Sequence, residues 1–180
     1  MKLLMHICCA PCAIYPINTL KGRVCDSITG FYFNPNIHPR EEYDKRRLAL
    51  EYYSMEIQTK VVYPEYNTQP YFDRIAGNEE SDARCSHCWR MRLEATAGHA
   101  KEEGFDAFTT TLLISPYQQH DIIKRIAQEV SHETGVGFLY HDFREGFKKS
   151  QQVAREKGLY RQKYCGCDFS MSEKTKVRKV

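Results

Sequence analysis

No stretch of this chain approaches the roughly 18 uncharged apolar residues that a membrane-spanning helix requires. The opening MKLLMHICCAPC has one lysine and a short apolar run, but neither the longer h-region nor the small-residue cleavage site of an export signal. A soluble, cytoplasmic protein with no membrane partner is therefore expected. Internal repeats and low-complexity linkers are also missing, and 10 Gly and 7 Pro in 180 residues exclude collagen-like and disordered compositions. A chain of this length can bury one core without disulfide staples, so a single domain over residues 1–180 is expected.

What the chain has in excess is cysteine, eight residues in all. A reducing cytosol makes structural disulfides a poor explanation for them, which leaves metal binding or redox chemistry. Charge is unevenly spread. The formal net charge is only +3, yet residues 143–180 hold eleven Lys or Arg against four Asp or Glu, leaving residues 1–142 at about −4. A basic C-terminal segment of this kind is either a solvated extension or a footprint for a phosphate backbone.

The hydrophobic pattern alternates strands with helices. Residues 2–7, 27–33, 60–63, 106–113 and 137–141 read as strands, rich in apolar, aromatic and β-branched side chains. Helical periodicity covers 13–21, 41–53, 70–77, 86–103, 121–134 and 145–157, and the remainder, through residue 167, reads as an irregular basic tail. Such alternation implies an α/β fold, a mostly parallel sheet with helices on both faces. Ligands bind such sheets outside the carboxyl ends of the strands, and the first of those ends is followed at once by Cys8, Cys9 and Cys12.

Seven cysteines fall in three groups: Cys8, Cys9 and Cys12; Cys85 and Cys88; Cys165 and Cys167. Cys25 stands apart and reads as a small buried hydrophobe. A Cys-x-x-Cys pair near a helix start lets two thiolates reach one metal, and Cys85-Ser86-His87-Cys88 has that form. The pairs Cys9/Cys12 and Cys85/Cys88 would satisfy a tetrahedral zinc, as in a zinc-stabilised RNA-binding domain without catalysis, but three clustered thiols would then be left over. A four-thiolate iron-sulfur cluster with a second metal or a redox dithiol beside it uses them all. A thioredoxin-type pair would not account for the additional thiols. Cys165-Gly166-Cys167 encloses a single residue, so a disulfide formed there should be strained and readily reduced.

Five segments carry a resemblance: His6-Ile7-Cys8-Cys9-Ala10-Pro11-Cys12; Asn34-Pro35-Asn36-Ile37-His38-Pro39 followed by Glu42-Tyr43; Arg84-Cys85-Ser86-His87-Cys88-Trp89-Arg90; Thr110-Thr111-Leu112-Leu113-Ile114-Ser115-Pro116-Tyr117-Gln118; and Tyr164-Cys165-Gly166-Cys167. In this order they resemble the cobalamin-independent epoxyqueuosine reductase family. The resemblance implies a fold like that of the adenine-nucleotide hydrolase group, and an iron-sulfur oxidoreductase that removes the epoxide oxygen of epoxyqueuosine at the anticodon wobble position of tRNA. It implies a 4Fe-4S cluster on Cys8, Cys9, Cys85 and Cys88, and a redox-active pair in Cys165 and Cys167. Cys12 becomes the candidate ligand of an adjacent mononuclear iron, and an electron donor is required. The Ser-Gly-Gly-x-Asp-Ser phosphate loop of ATP pyrophosphatases is absent after the first strand.

Deoxygenating an epoxide consumes two electrons and two protons, so a cluster passing one electron at a time must be joined by a source of the second electron. A Lewis-acidic iron held partly by Cys12 would bind the epoxide oxygen and weaken its C–O bond, with the Cys165/Cys167 dithiol or the cluster supplying the second electron. Asp168, Tyr117, His87 and His120 are the candidate acids beside the motifs. Tyr117 and Gln118 are expected to stack on and pair with a flipped base, and Arg144, Lys148, Lys149, Arg155, Arg161 and Lys163 to meet phosphates.

Overall fold

The computed structural model describes residues 1–79 and 83–177, the last five of these by backbone alone. The last three residues of the basic segment, 178–180, lie outside the described residues. Strands β1 (Lys2–His6), β2 (Ser27–Phe31), β3 (Val61–Val62), β4 (Ala107–Thr110) and β5 (Gly137–Phe138) form one parallel sheet in the order β3-β2-β1-β4-β5. The central strand β1 reads as an unbroken apolar run because both of its faces are covered, and Leu3, Leu4 and Met5 have no exposed surface.

The helices are α1 (Ala10–Leu20), α2 (Arg40–Glu56), α3 (Gln69–Ile75), α4 (Ala83–Glu102), α5 (His120–Thr134), α6 (Phe147–Glu156) and α7 (Asp168–Val177). One group, α1 with α2 and α6, packs together, while α4 packs on α5, α3 and the strands β1 and β4. The chain leaves β1 toward β2 and β3, then returns to build β4 and β5 on the other side. The reversal lies between β1 and β4, and adjacent loops diverge there to open a crevice at the carboxyl ends of the strands.

Among the elements whose bounds differ from the sequence expectation, three shape that crevice. The strand expected over 106–113 ends at Thr110, whose Oγ1 accepts the Leu112 N–H at 3.1 Å and diverts it from the ladder. Thr111–Ile114 becomes a 3-10 turn. Helix α1 begins at Ala10 rather than residue 13, with Pro11 in its first turn, where a missing N–H costs nothing. Cys12 is thereby fixed on a helix instead of a loop. The tail expected to be irregular contains α7, and Cys167 caps it: Sγ accepts the Ser170 N–H at 3.4 Å, and the carbonyl accepts from Ser170 Oγ at 2.8 Å and Met171 N at 3.1 Å.

Helix α6 forms one wall of the crevice and is held against α1 by a close seam. The Tyr15 N–H donates to Ser150 Oγ at 3.1 Å, and the Tyr15 ring lies flush against Gly146, where an added Cβ would stand 2.0 Å from ring carbon Cγ. Gly146→Ala must displace either the ring or α6. The expected cost is about 1–3 kcal/mol, the usual range for overpacking. A lowered urea midpoint at unchanged m-value would register it, whereas an unshifted midpoint would show that the seam gives way freely.

Candidate active site

The crevice holds a cavity of about 520 Å³, with Cys8, Cys12, Thr111, Tyr117, Gln118 and Cys165 in its wall. At its floor Cys8 and Cys12 show two members of a sulfur triad. The Sγ atoms of Cys8, Cys9 and Cys12 all lie within 4.8 Å of one another, with Cys8 and Cys9 3.9 Å apart. The end of β1 delivers Cys8, Cys9 is the N-cap of α1, and Cys12 follows one turn later. Thr111, freed from the strand by the 3-10 turn, accepts the Cys8 N–H at 3.1 Å and donates to Cys8 Sγ at 3.4 Å. From the far end of the chain, Gln162 Nε2 donates to Cys9 Sγ at 3.0 Å and Cys12 Sγ at 3.6 Å.

These contacts divide the protons unequally. Hydrogen bonds from Cys12 and Cys9 hold the Cys8 thiol well below its ordinary range. Burial pushes Cys9 up, and the bond to Cys8 pushes Cys12 up. The triad therefore titrates as a unit in which Cys8 is the most acidic member. Just before it, His6 is buried between Thr110 Oγ1 at 3.0 Å and the Phe33 carbonyl at 3.2 Å. Burial, assisted by Arg92, lowers its pKa to about 4 and keeps it neutral as a structural cross-link.

Cys85 and Cys88 occupy the first turns of α4 and have different company. Cys88 and Cys167 are buried with Tyr71, Ile75 and Met91 in a small apolar cluster beside the main core. Burial raises the Cys88 thiol to about 12 against the pull of Arg92, and burial followed by repulsion from Cys165 raises Cys85. Among the described residues, the triad is the one group of three or more cysteines, histidines or acids with ligand atoms this close together. The four sulfurs of the implied cluster set, Cys8, Cys9, Cys85 and Cys88, are thus divided between two neighbourhoods, and Cys12 completes the compact group.

Cys165, Gly166 and Cys167 rest on a seat built by residues 34–39 and α2. The His38 N–H donates to the Gly166 carbonyl at 2.8 Å, and the Tyr164 hydroxyl donates to the His38 carbonyl. Arg46 donates to the carbonyls of Cys165 at 2.9 Å and Tyr164 at 3.1 Å, while its Nε meets Glu42 at 2.8 Å. Tyr160 donates to the other Glu42 oxygen. Gly166 has φ 141°, and a Cβ there would press on Ile37, Arg46 and Asn36, so this position requires glycine. Cys165 is exposed and Cys167 buried.

Tyr117 and Gln118 both line the cavity. Tyr117 is open to solvent with its ring edge-on to Phe147 at 5.8 Å. The Gln118 amide is engaged at both ends. Trp89 Nε1 is a donor only, so the amide oxygen must face it, at 2.9 Å, and Nε2 is turned to Cys165 Sγ at 3.7 Å. Of the four candidate acids, Tyr117 lines the cavity and Asp168, His87 and His120 do not. Lys148, Lys149, Arg155, Arg161 and Lys163 are exposed, and Lys163 stands at the cavity wall. Arg144 is also exposed, but it is spent on Asp142, whose carboxyl it holds down to about 2.

Arg46, Arg92, Thr111 and Gln162 were not legible as site residues. For Arg92 a signal existed: it follows Cys85 and Cys88 at helical spacing, seven and four residues on, and so shares their face of α4. Gln162 had none, because a lone glutamine in a basic stretch has no distinguishing pattern.

The sequence model of the family described as "Epoxyqueuosine reductase QueH" matches residues 3–173. A protein of that name from Dehalococcoides mccartyi is 36% identical over 174 residues, covering 96% of this chain and 94% of the relative. Another, from Thermotoga maritima, is 34% identical over 180 residues, covering 96% and 91%. Among solved structures, a predicted subunit of tRNA methyltransferase from Methanocaldococcus jannaschii superposes with a TM-score of 0.54 at 10% identity, over 86% of this chain and 75% of that one, a likeness of fold alone. With the family model spanning nearly the whole chain and full-length relatives above 30% identity, the chain belongs to the epoxyqueuosine reductase QueH family.

Proposed function

We propose that this protein reduces epoxyqueuosine in tRNA to queuosine, opening the epoxide to a cyclopentene and releasing its oxygen as water, the last step of queuosine biosynthesis. The observation that carries the reading is a compact thiol triad in the floor of a cavity large enough for a nucleobase, in a chain matched along its length by the reductase family. The reducing cytoplasm suits its eight free thiols.

The donor set fits a soft metal centre: three thiols, one held more acidic than the others by its neighbours, with no histidine or carboxylate among them. A 4Fe-4S cluster takes four thiolates, and Cys8, Cys9, Cys85 and Cys88 would hold it, with Cys12 left for an adjacent mononuclear iron. When bound, such a centre supplies electrons one at a time. The protein's own residues do the rest. Tyr117 offers an exposed ring on which a base extruded from the anticodon can stack, and its hydroxyl is the acid at the cavity wall. Cys165 and Cys167 together can give up two electrons and two protons on closing to a disulfide, which a separate electron donor must then reopen.

Protein purified without oxygen should be brown, contain iron and sulfide, and with a strong reductant convert epoxyqueuosine tRNA to queuosine tRNA. Colourless, zinc-bearing protein that binds the tRNA without turnover would instead establish a zinc-stabilised RNA-binding domain. Cys12→Ser should abolish product formation while most of the iron-sulfur absorption remains, and normal turnover by that variant would remove Cys12 from the chemistry.

Binding of tRNA should weaken steeply with salt. If Lys148, Lys149, Arg155, Arg161 and Lys163 each meet a phosphate, log K against log salt should fall with a slope of about −3.5 to −4.5. A flat plot would exclude this face as the contact.

A further inference from the structure

Two arginines are buried at the cavity wall, and their surroundings are unlike. Arg46 is 1% exposed and fully engaged, with Glu42 as its counter-ion and two backbone carbonyls as acceptors. Arg92 is 2% exposed and has almost nothing of the kind. Its Nε donates to the Cys88 carbonyl at 3.1 Å, its Nη2 has no hydrogen-bond partner, and among the described residues no carboxylate pairs with it.

A guanidinium cannot shed its proton to escape burial, and a buried charge without a counter-charge is strongly unfavourable. Negative charge must therefore come from the neighbours. Arg92 lines the cavity together with Cys8, Cys12 and Cys165, and on α4 it is bonded to the carbonyl of Cys88. These cysteines belong to both sulfur neighbourhoods, so Arg92 stands within reach of the triad on one side and of the α4 and C-terminal thiols on the other.

We propose that Arg92 is the counter-cation of this sulfur centre, a positioning residue whose fixed charge stabilises the electron-rich, reduced state and so raises the reduction potential. This rests on the reading of the site as a redox centre. A merely structural Arg92 would affect folding and packing without moving a potential, which separates the two roles.

The test is a dye-mediated redox titration of the anaerobically prepared holoenzyme, followed by visible absorption and paramagnetic resonance, on wild type, Arg92→Lys, Arg92→Gln and Arg92→Met. Methionine replaces the buried charge with an apolar chain of similar length, a change that folded proteins often accept, so it serves if the glutamine variant fails to fold. Removing the charge should disfavour reduction on the order of tenfold, about 59 mV for a one-electron couple, with iron and sulfide content unchanged. Arg92→Lys should shift the potential by less. A charge-free variant titrating at the wild-type potential overturns the proposal.

If the wild-type protein holds no iron-sulfur centre, the proposed function fails on that result alone, and Arg92 is then tested on the thiols. Cys165 and Cys167 are equilibrated with glutathione disulfide, two thiols giving one protein disulfide and two glutathione molecules. Loss of the charge should favour the protein disulfide on the order of tenfold, about 30 mV for two electrons. An unchanged equilibrium constant overturns the proposal there as well.

Discussion

Sulfur that must carry charge has been taken out of water here, and the rest of the site answers to that constraint. A thiolate in an apolar interior is unfavourable unless donors or cations surround it. The triad meets the requirement by sharing: Cys12 and Cys9 favour the deprotonated form of Cys8, Thr111 donates to Cys8, and Gln162 donates to Cys9 and Cys12. Around it, Arg46 and Arg92 bring positive charge without bringing a competing metal ligand, since a guanidinium donates and does not accept.

The α/β architecture makes this arrangement possible. Parallel strands send their carboxyl ends to the same edge of the sheet, so β1 and β4, neighbours at the point where strand order reverses, present Cys8 and Thr111 side by side although 103 residues separate them. The register pairs His6 with Thr110, and the loops that follow are consequently in step. Helix α1 then carries Cys12 back over the triad, and α2 contributes Arg46 from the flank.

Much of the fold was legible because the local signals agreed with the global answer. The uninterrupted Leu3-Leu4-Met5 run and the amphipathic stripe of Ile123, Ile126 and Val130 declare a central strand and a covering helix without ambiguity. Two of the misjudged boundaries share one cause, side chains that capture backbone donors. Thr110 ended a strand that its β-branched sequence would have prolonged, and Cys167 started a helix in a segment whose charge suggested a solvated tail. The site was legible to the extent that cysteine is a rare and loud residue. Arg46 and Glu42 were silent because an Arg and a Glu four apart on a helix are the ordinary pattern of a solvated surface, and only the docking of Tyr160 and Tyr164 reveals them as interior. How seven thiols would be apportioned was beyond sequence spacing altogether, since it depends on which face of α4 meets the C-terminal segment.

That segment has a bearing on how the protein comes into being. Gln162 covers sulfur atoms synthesised 153 residues earlier, and the Cys165 carbonyl is fastened to an arginine 119 residues upstream. Translation proceeds in one direction, so the emerging polypeptide lays down the floor and flank of the centre long before their cover exists. Through that interval the thiols stand uncovered. It is the period when any metal the thiols take up would meet least obstruction, and also when stray oxidants meet the least resistance.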